Sequence, residues 1–240
     1  MGSTAPLRSP AGRISYRVGK RALDIAVSLA ALALGAPLVL LIGAVIRAKS
    51  KGPILFAQER LGLNSRRFTL YKFRTLPVAP CQVTDQRWGG EAQRADAFGR
   101  WLRRLGLDEW PQFWNVLRGE MSVVGPRPER PYFAQGFEQA LECYPLRHLV
   151  HSGITGWAQV NGLTGDTEIS RRLEYDLAYV REWSPLLDLK ILLLTPLCVL
   201  RLRCRPESEV PAVEPRLGLP VQTSETRGGL REVGEHARSF

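Results

Sequence analysis

The 240-residue chain has only four cysteines, Cys81, Cys143, Cys198 and Cys204, and no two of them form a CxxC pair. That spacing signals neither a disulfide framework nor a structural zinc site, and it fits a reducing compartment. No internal repeat is present. No recognition helix or base-stacking motif accompanies the basic residues, which argues against a nucleic-acid-binding protein. No small-residue cleavage site convincingly follows the longest apolar run, so that run is not a removable signal peptide. His148 and His151 lie close together but lack a third ligand of the right kind nearby, which leaves little basis for a metal site there.

Charge is unevenly spread. Five Arg and six Glu fall from Arg205 onward, so residues 1–204 hold a net +11 of the chain's +10. Such an excess calls for an anionic partner: nucleic acid, an anionic membrane surface or phosphorylated substrates. With 45% apolar residues the chain is not wholly disordered. Residues 1–13 read as a flexible leader, 14–51 as a membrane segment, 52–204 as a catalytic domain and 205–240 as a disordered tail.

From Ile25 to Ile46 there are 22 residues without a charge, long enough to cross a bilayer as a helix. Pro37 removes a backbone donor near the middle, which predicts a kink or break. Basic residues flank both ends, Lys20 and Arg21 before, Arg47, Lys49 and Lys51 after, so the positive-inside rule gives no direction. A re-entrant helix with both ends on the cytoplasmic face satisfies both observations; a straight span is the alternative. A buried core helix fits so long an uncharged run poorly.

Residues 52–75 read as a β-hairpin around Leu-Gly-Leu-Asn-Ser, and residues 76–90 as a loop. Helical patterns are expected at about 91–104, 109–118, 129–143, 168–183 and 186–203, with an extended segment over 154–161. The last helix is strongly apolar yet carries Asp188 and Lys190, which suits an interfacial or core position. The fold class is therefore α+β, mostly helical: a Pro-broken re-entrant membrane helix, a hairpin, and a helical catalytic domain with interfacial amphipathic helices.

The chemistry centres on Asp108 and Glu109. Asp108 reads as an N-cap with Pro111 in the turn that follows. Arg103 and Arg104 lie just upstream, and Arg127 is stiffened between Pro126 and Pro128. A carboxylate among arginines stays ionised and available as a nucleophile or metal ligand. Arg147 is a further phosphate-binding candidate. The tryptophans Trp101, Trp110, Trp114, Trp157 and Trp183 suit core or interfacial positions.

The run from Leu107 to Pro128, with Asp108-Glu109, Pro111-Gln112, Asn115 and Pro126-Arg127-Pro128, resembles the signature of the bacterial sugar transferase family, the monotopic phosphoglycosyl transferases. Lys20-Arg21-x-x-Asp24, Gly52-Pro53-x-x-Phe56-x-Gln58-x-Arg60-x-Gly62, Tyr71 to Thr75, Gly153 to Gly162, Tyr175-Asp176-Leu-x-Tyr179, Trp183-Ser184 and Asp188-Leu-Lys190 match in order. The resemblance covers about residues 19–200 and points to the compact form of the family, without extra N-terminal membrane helices.

It implies that Asp108 attacks the β-phosphate of a UDP-sugar, that UMP leaves, and that a polyprenyl phosphate then takes the sugar phosphate from the aspartate. It further implies Mg²⁺ on Glu109 and phosphate or nucleotide contacts from Arg127, Pro126, Pro128 and Arg103. Lys72 and Arg74 read equally as phosphate contacts or membrane-surface groups, and Gln112 and Asn115 as groups that orient the site or pack and cap the interior. The implied setting is the inner membrane with the catalytic domain facing the cytoplasm. Partners are UDP-sugar, polyprenyl phosphate and membrane lipid, not nucleic acid; a second copy or downstream glycosyltransferases are further partners the reading admits.

Three departures stand out: Gly106 where the family has Ser or Thr, Ser152 where it has Pro, and Ala36-Pro37 where it often has Ser-Pro. Two rivals remain. A membrane-tethered, non-enzymatic assembly factor tolerates loss of Asp108 and Glu109. A soluble glycosyltransferase leaves the uncharged run unexplained.

Overall fold

A computed structural model describes residues 14–76, 95–164 and 167–201. The expected leader and tail, and the loop beyond Leu76, lie outside these residues. Helix α1 runs Ile14–Lys49, followed by strands β1 (Leu55–Leu61) and β2 (Arg67–Phe73). Helices α2 (Ala97–Leu105) and α3 (Gln112–Arg118) come next, then β3 (Ser122–Val124) and α4 (Pro131–Ala140). The described chain closes with β4 (Gly153–Thr155), α5 (Trp157–Val160), α6 (Ile169–Glu182) and α7 (Pro185–Arg201).

The hairpin is as expected: β1 and β2 are antiparallel, with Leu55 opposite Phe73 and Leu61 opposite Arg67. Asn64 and Ser65 turn it in the left-handed region (φ 52° and 55°), which Asn tolerates better than most residues. Its inward side chains, among them Leu61, Leu70 and Phe73, feed three separate apolar clusters. The segment expected to be extended over 154–161 is strand only to Thr155 and then turns into α5. β4 pairs in parallel with β3, Ser122 opposite Gly153 and Val124 opposite Thr155. A Cβ at Gly153 would come within 2.1 Å of the Gly125 nitrogen, so close backbone packing demands glycine there.

Of the expected kink or break at Pro37 the break is not found: α1 stays helical through it, and a proline can bend a helix without ending it. The missing N–H of Pro37 removes one helix hydrogen bond, and the neighbouring turns carry the helix on. Tertiary contacts hold α1 along its length. Lys20 forms a buried ion pair with Asp188 of α7 at 2.8 Å, and Nζ also donates to the Val124 carbonyl. Arg21 donates to the Val116 and Leu117 carbonyls at the end of α3, where a cation complements the helix dipole. Asp24 accepts from the Ser122 hydroxyl and the Val123 amide, both at 2.9 Å.

Farther along α1, the Trp110 indole donates to the Ala31 carbonyl at 3.3 Å and lies against Gly35, where a Cβ would fall 2.6 Å from the ring. Ile42 and Ile46 pack with Phe73 and Leu102. The opposite face leaves Leu29, Leu34, Leu40 and Leu41 open, Leu34 at 84% exposure. α7 likewise exposes Leu186, Leu189, Leu193 and Leu197. Asp188 and Lys190 are taken up by the fold, because Asp188 meets Lys20 and the Tyr179 hydroxyl, and Lys190 lies over the Trp157 ring.

Candidate active site

Asp108 and Glu109 sit on a one-turn 3-10 helix, Leu107–Glu109, between α2 and α3. α2 is capped at its start by the Asp96 carboxylate, which accepts from the Gly99 amide at 2.7 Å. It ends on Gly106 in the left-handed region (φ 68°), a conformation glycine adopts without steric penalty. The departure at Gly106 thus has a local cause. Asp108 is not the N-cap that the sequence suggested: Pro111 takes that position on α3, and no side chain caps it. The 3-10 turn displaces the start of the helix and leaves the Asp108 side chain unspent.

Asp108 is 7% exposed, and its carboxylate makes no hydrogen bond among the described residues. Burial, and then the neighbouring Glu109 charge, push its pKa up to about 6; Lys72, Arg103 and Arg127 pull the other way. Glu109 is different. Burial opposes its charge, but Arg127, then Lys72 and Arg60, hold its carboxyl below the usual range. Arg127 grips both Glu109 oxygens, Nη1 to Oε2 at 3.2 Å and Nη2 to Oε1 at 2.5 Å. This fork geometry is the strong form of an arginine–carboxylate pair.

The Pro126-Arg127-Pro128 loop is itself clamped from behind. The Gly153 amide donates to the Pro126 carbonyl, Arg147 donates to the Arg127 carbonyl at 2.9 Å, and Arg60 donates to the Pro128 carbonyl at 3.1 Å. Arg147 is 2% exposed and also binds Asp176 and the Tyr144 hydroxyl. It therefore serves as a loop support and does not reach the site as a phosphate contact, because its buried charge is matched by Asp176. Glu129 continues the network by pairing with Arg172 at 2.8 Å. Of residues 121–130 only Arg127 is not buried.

Arg74 is also placed elsewhere. Its guanidinium caps the end of α1 by donating to the Ser50 and Lys51 carbonyls and the Ser50 hydroxyl. Lys72 and Arg103 do lie in the field of Asp108; Arg103 is steadied by the Thr75 hydroxyl at 2.7 Å. Gln112 is buried at the start of α3. Asn115 ties α3 to the hairpin through the Tyr71 amide and the Thr69 carbonyl, a structural duty. Sequence reasoning passed over Arg60 as a site residue, although it stands in the hairpin motif; a single strand does not reveal that it faces the loop 68 residues away. A cavity of about 380 Å³ adjoins Glu109 and Arg127 and extends to the inner side of α7.

The sequence profile described as "Bacterial sugar transferase" matches residues 15–202. The chain belongs to the bacterial sugar transferase family. It is 45% identical over 184 residues to an "Undecaprenyl-phosphate glucose phosphotransferase" of Komagataeibacter xylinus, covering 73% of this chain and 35% of that protein. A "UDP-glucose:undecaprenyl-phosphate glucose-1-phosphate transferase" of Escherichia coli (strain K12) is 41% identical over 183 residues, 75% of this chain and 39% of its own length. A protein of the same name from Caulobacter vibrioides is 40% identical over 194 residues, 78% and 71% of the two chains. The chain thus spans under half the length of the first two of these relatives.

Membership makes sense of motif residues whose role the sequence left open. In this member of the family Lys20, Arg21 and Asp24 fasten α1 to the body of the domain. Asp176 neutralises Arg147. Among the described residues no three His, Cys, Asp or Glu side chains gather as a metal cage. Mg²⁺ commonly takes only one or two carboxylates, with water and substrate phosphate completing its shell. The open Asp108 carboxylate fits that pattern at once. Both oxygens of Glu109, the ligand the resemblance implies, are held by Arg127, and each carboxylate oxygen keeps a further lone pair that a cation could use.

Proposed function

We propose that this chain transfers a sugar 1-phosphate from a UDP-sugar to a polyprenyl phosphate in two displacements at Asp108. The observation that carries the reading is the contrast within the dyad. Glu109 is committed to Arg127, whereas the buried Asp108 carboxylate has no hydrogen bond among the described residues and lies in the field of Lys72, Arg103 and Arg127.

In the first displacement an Asp108 oxygen forms a bond to the β-phosphorus, and the bond from that phosphorus to the bridging oxygen breaks. UMP leaves with the electron pair. In the second, an oxygen of the lipid phosphate bonds to the same phosphorus, and the Asp108 carboxylate is released. Lys72, Arg103 and Arg127 stabilise the charge that builds on the transferring group. Arg127 passes from Glu109 to phosphate when the donor binds. Glu109 would hold Mg²⁺, which would neutralise charge on the diphosphate. Two half-reactions suit a water-soluble donor and a lipid-bound acceptor, which need not be held at once.

The membrane arrangement is part of the proposal. α1 is the one helix among the described residues long and apolar enough to cross a bilayer. It is fastened to the same domain by Lys20 and Asp24 before the uncharged run and by Ile42 and Ile46 at its end. This supports a re-entrant segment with both ends on the cytoplasmic face of the inner membrane and the open leucines in lipid.

The test is a release assay with the chain in nanodiscs, Mg²⁺, polyprenyl phosphate and a panel of UDP-sugars. UDP-glucose goes first, since the three relatives are named for glucose. UMP formed with one donor and lost in Asp108→Asn supports the reading. UDP in its place means conventional glycosyl transfer, and no turnover by folded protein turns the reading toward an assembly factor.

A further inference from the structure

The cavity beside the dyad has two unlike ends. Arg103, Arg104, Arg127 and Glu109 line one, next to Asp108. Trp110, Phe113, Ile154, Val160 and Val199 form apolar walls that lead to the inner side of α7. The polar groups at the α7 end are largely spent on one another. Thr155 and Thr195 share a hydrogen bond at 2.8 Å, and the Thr195 hydroxyl also donates to the Ile191 carbonyl. Gln159 donates its amide to the Ile154 carbonyl, and the Cys198 thiol donates to the Gln159 carbonyl. Among the described residues the Gln159 Oε1, buried close to Gly156, and the Thr164 hydroxyl at the cavity wall are left without a partner.

A uracil, a ribose or a sugar needs several groups to receive its hydroxyl and amide hydrogens, and leaving them unmet is expensive. This end of the cavity offers almost none. An apolar chain asks for none and gains from leaving water. α7 forms one wall and turns leucines outward on its other face, so the cavity lies one helix away from an apolar surface.

Resting on the two-displacement reading, we propose that this cavity is the acceptor subsite. It takes the phosphate of the polyprenyl phosphate against Arg103 and Arg127, and the first isoprene units against Trp110, Phe113, Ile154, Val160 and Val199. The acceptor oxygen then arrives beside Asp108 from the α7 side.

Two measurements on the full chain in nanodiscs test this. In the first, a polyprenyl phosphate bearing a photoreactive group on its first isoprene is crosslinked and the labelled peptides are mapped. Label on residues 195–199 or on Trp110 and Phe113, displaced by unlabelled polyprenyl phosphate, is expected. Label confined to the outer leucines of α7, or displaced by UDP-sugar alone, overturns the inference. This arm needs no turnover, so it holds even if the covalent mechanism is wrong.

In the second, Val199→Trp fills the cavity, and Leu193→Trp on the outer face of α7 serves as control. Crowding of this kind is expected to raise the KM for polyprenyl phosphate about tenfold in Val199→Trp, and far more than the KM for UDP-sugar. Leu193→Trp leaves both near wild type. A rise in the UDP-sugar KM alone assigns the cavity to the donor, and no change in either KM means that no substrate uses it; both overturn the inference. Exchange of labelled UMP into UDP-sugar without lipid reports separately on the first displacement. Its failure in the wild type counts against the mechanism, not the cavity.

Discussion

Arg127 holds Glu109 through two guanidinium hydrogen bonds, while the carboxylate of Asp108, one residue earlier, has no hydrogen bond among the described residues. Adjacent acids are thereby driven apart: Arg127 holds the pKa of Glu109 down, while burial and then the Glu109 charge raise that of Asp108. Such separation is how a site assigns different tasks to two carboxylates.

The charge on Asp108 should therefore destabilise the ligand-free protein. Its pKa is raised from 3.8 to about 6, so the cost is absent below the unfolded value, grows between the two and is full above about 6. A shift of that size corresponds to about 3 kcal/mol. Asp108→Asn is expected to unfold at a higher temperature than wild type at pH 7.5, with the gap closing toward pH 4, while UMP release is lost. Thermal melts of both proteins across that range check it; equal or lower stability of the variant at pH 7.5 counts against a strained nucleophile.

Glu109 helps to raise the pKa of Asp108, so Glu109→Gln should lower it. Carbon-13 titration of aspartate carboxyls in the ligand-free protein follows this directly. An Asp108 resonance that titrates at a lower pH in the variant is expected. An unchanged midpoint means that burial alone sets the value.

The supporting role of Arg147 has its own signature. Removal of one member of a buried pair commonly costs about 3–5 kcal/mol, whereas replacing both by apolar residues is often near neutral. Arg147→Met should thus be strongly destabilised, and Arg147→Met with Asp176→Leu should recover much of the loss by denaturant unfolding. A direct phosphate ligand would behave otherwise: stability would change little, and the second substitution would rescue nothing.

The topology of α1 is open to cysteine labelling. In a cysteine-free background, Arg17→Cys and Lys51→Cys flank the uncharged run, and both positions are exposed. Both should react with an impermeant maleimide in inside-out vesicles and neither in right-side-out cells. Reaction of one from each side would mean that α1 spans the bilayer.

The hairpin was legible in the sequence, and Asp108-Glu109 stood out there as a candidate pair, because both carry local signals. Leu-Gly-Leu-Asn-Ser marks a turn between alternating strands, and Asp108-Glu109 stands in a short run of arginines, aromatics and prolines. The roles of Arg74 and Arg147 were not legible. An arginine in a basic chain looks like a phosphate ligand until its partner is known, and these partners lie 24 and 29 residues away. The β3–β4 pairing was missed for a similar reason, since three-residue strands carry almost no periodicity of their own. Pro37 misled in the opposite direction, because its local effect on the backbone is real but tertiary packing on both sides keeps α1 helical.

The most direct test of the central claim is intact-protein mass spectrometry of the chain mixed with Mg²⁺ and its UDP-sugar in the absence of lipid. The account predicts one added sugar phosphate, mapped to Asp108, missing in Asp108→Asn and discharged when polyprenyl phosphate is supplied. Turnover with lipid present but no adduct on Asp108 when lipid is withheld, even at millisecond quench times, would contradict it.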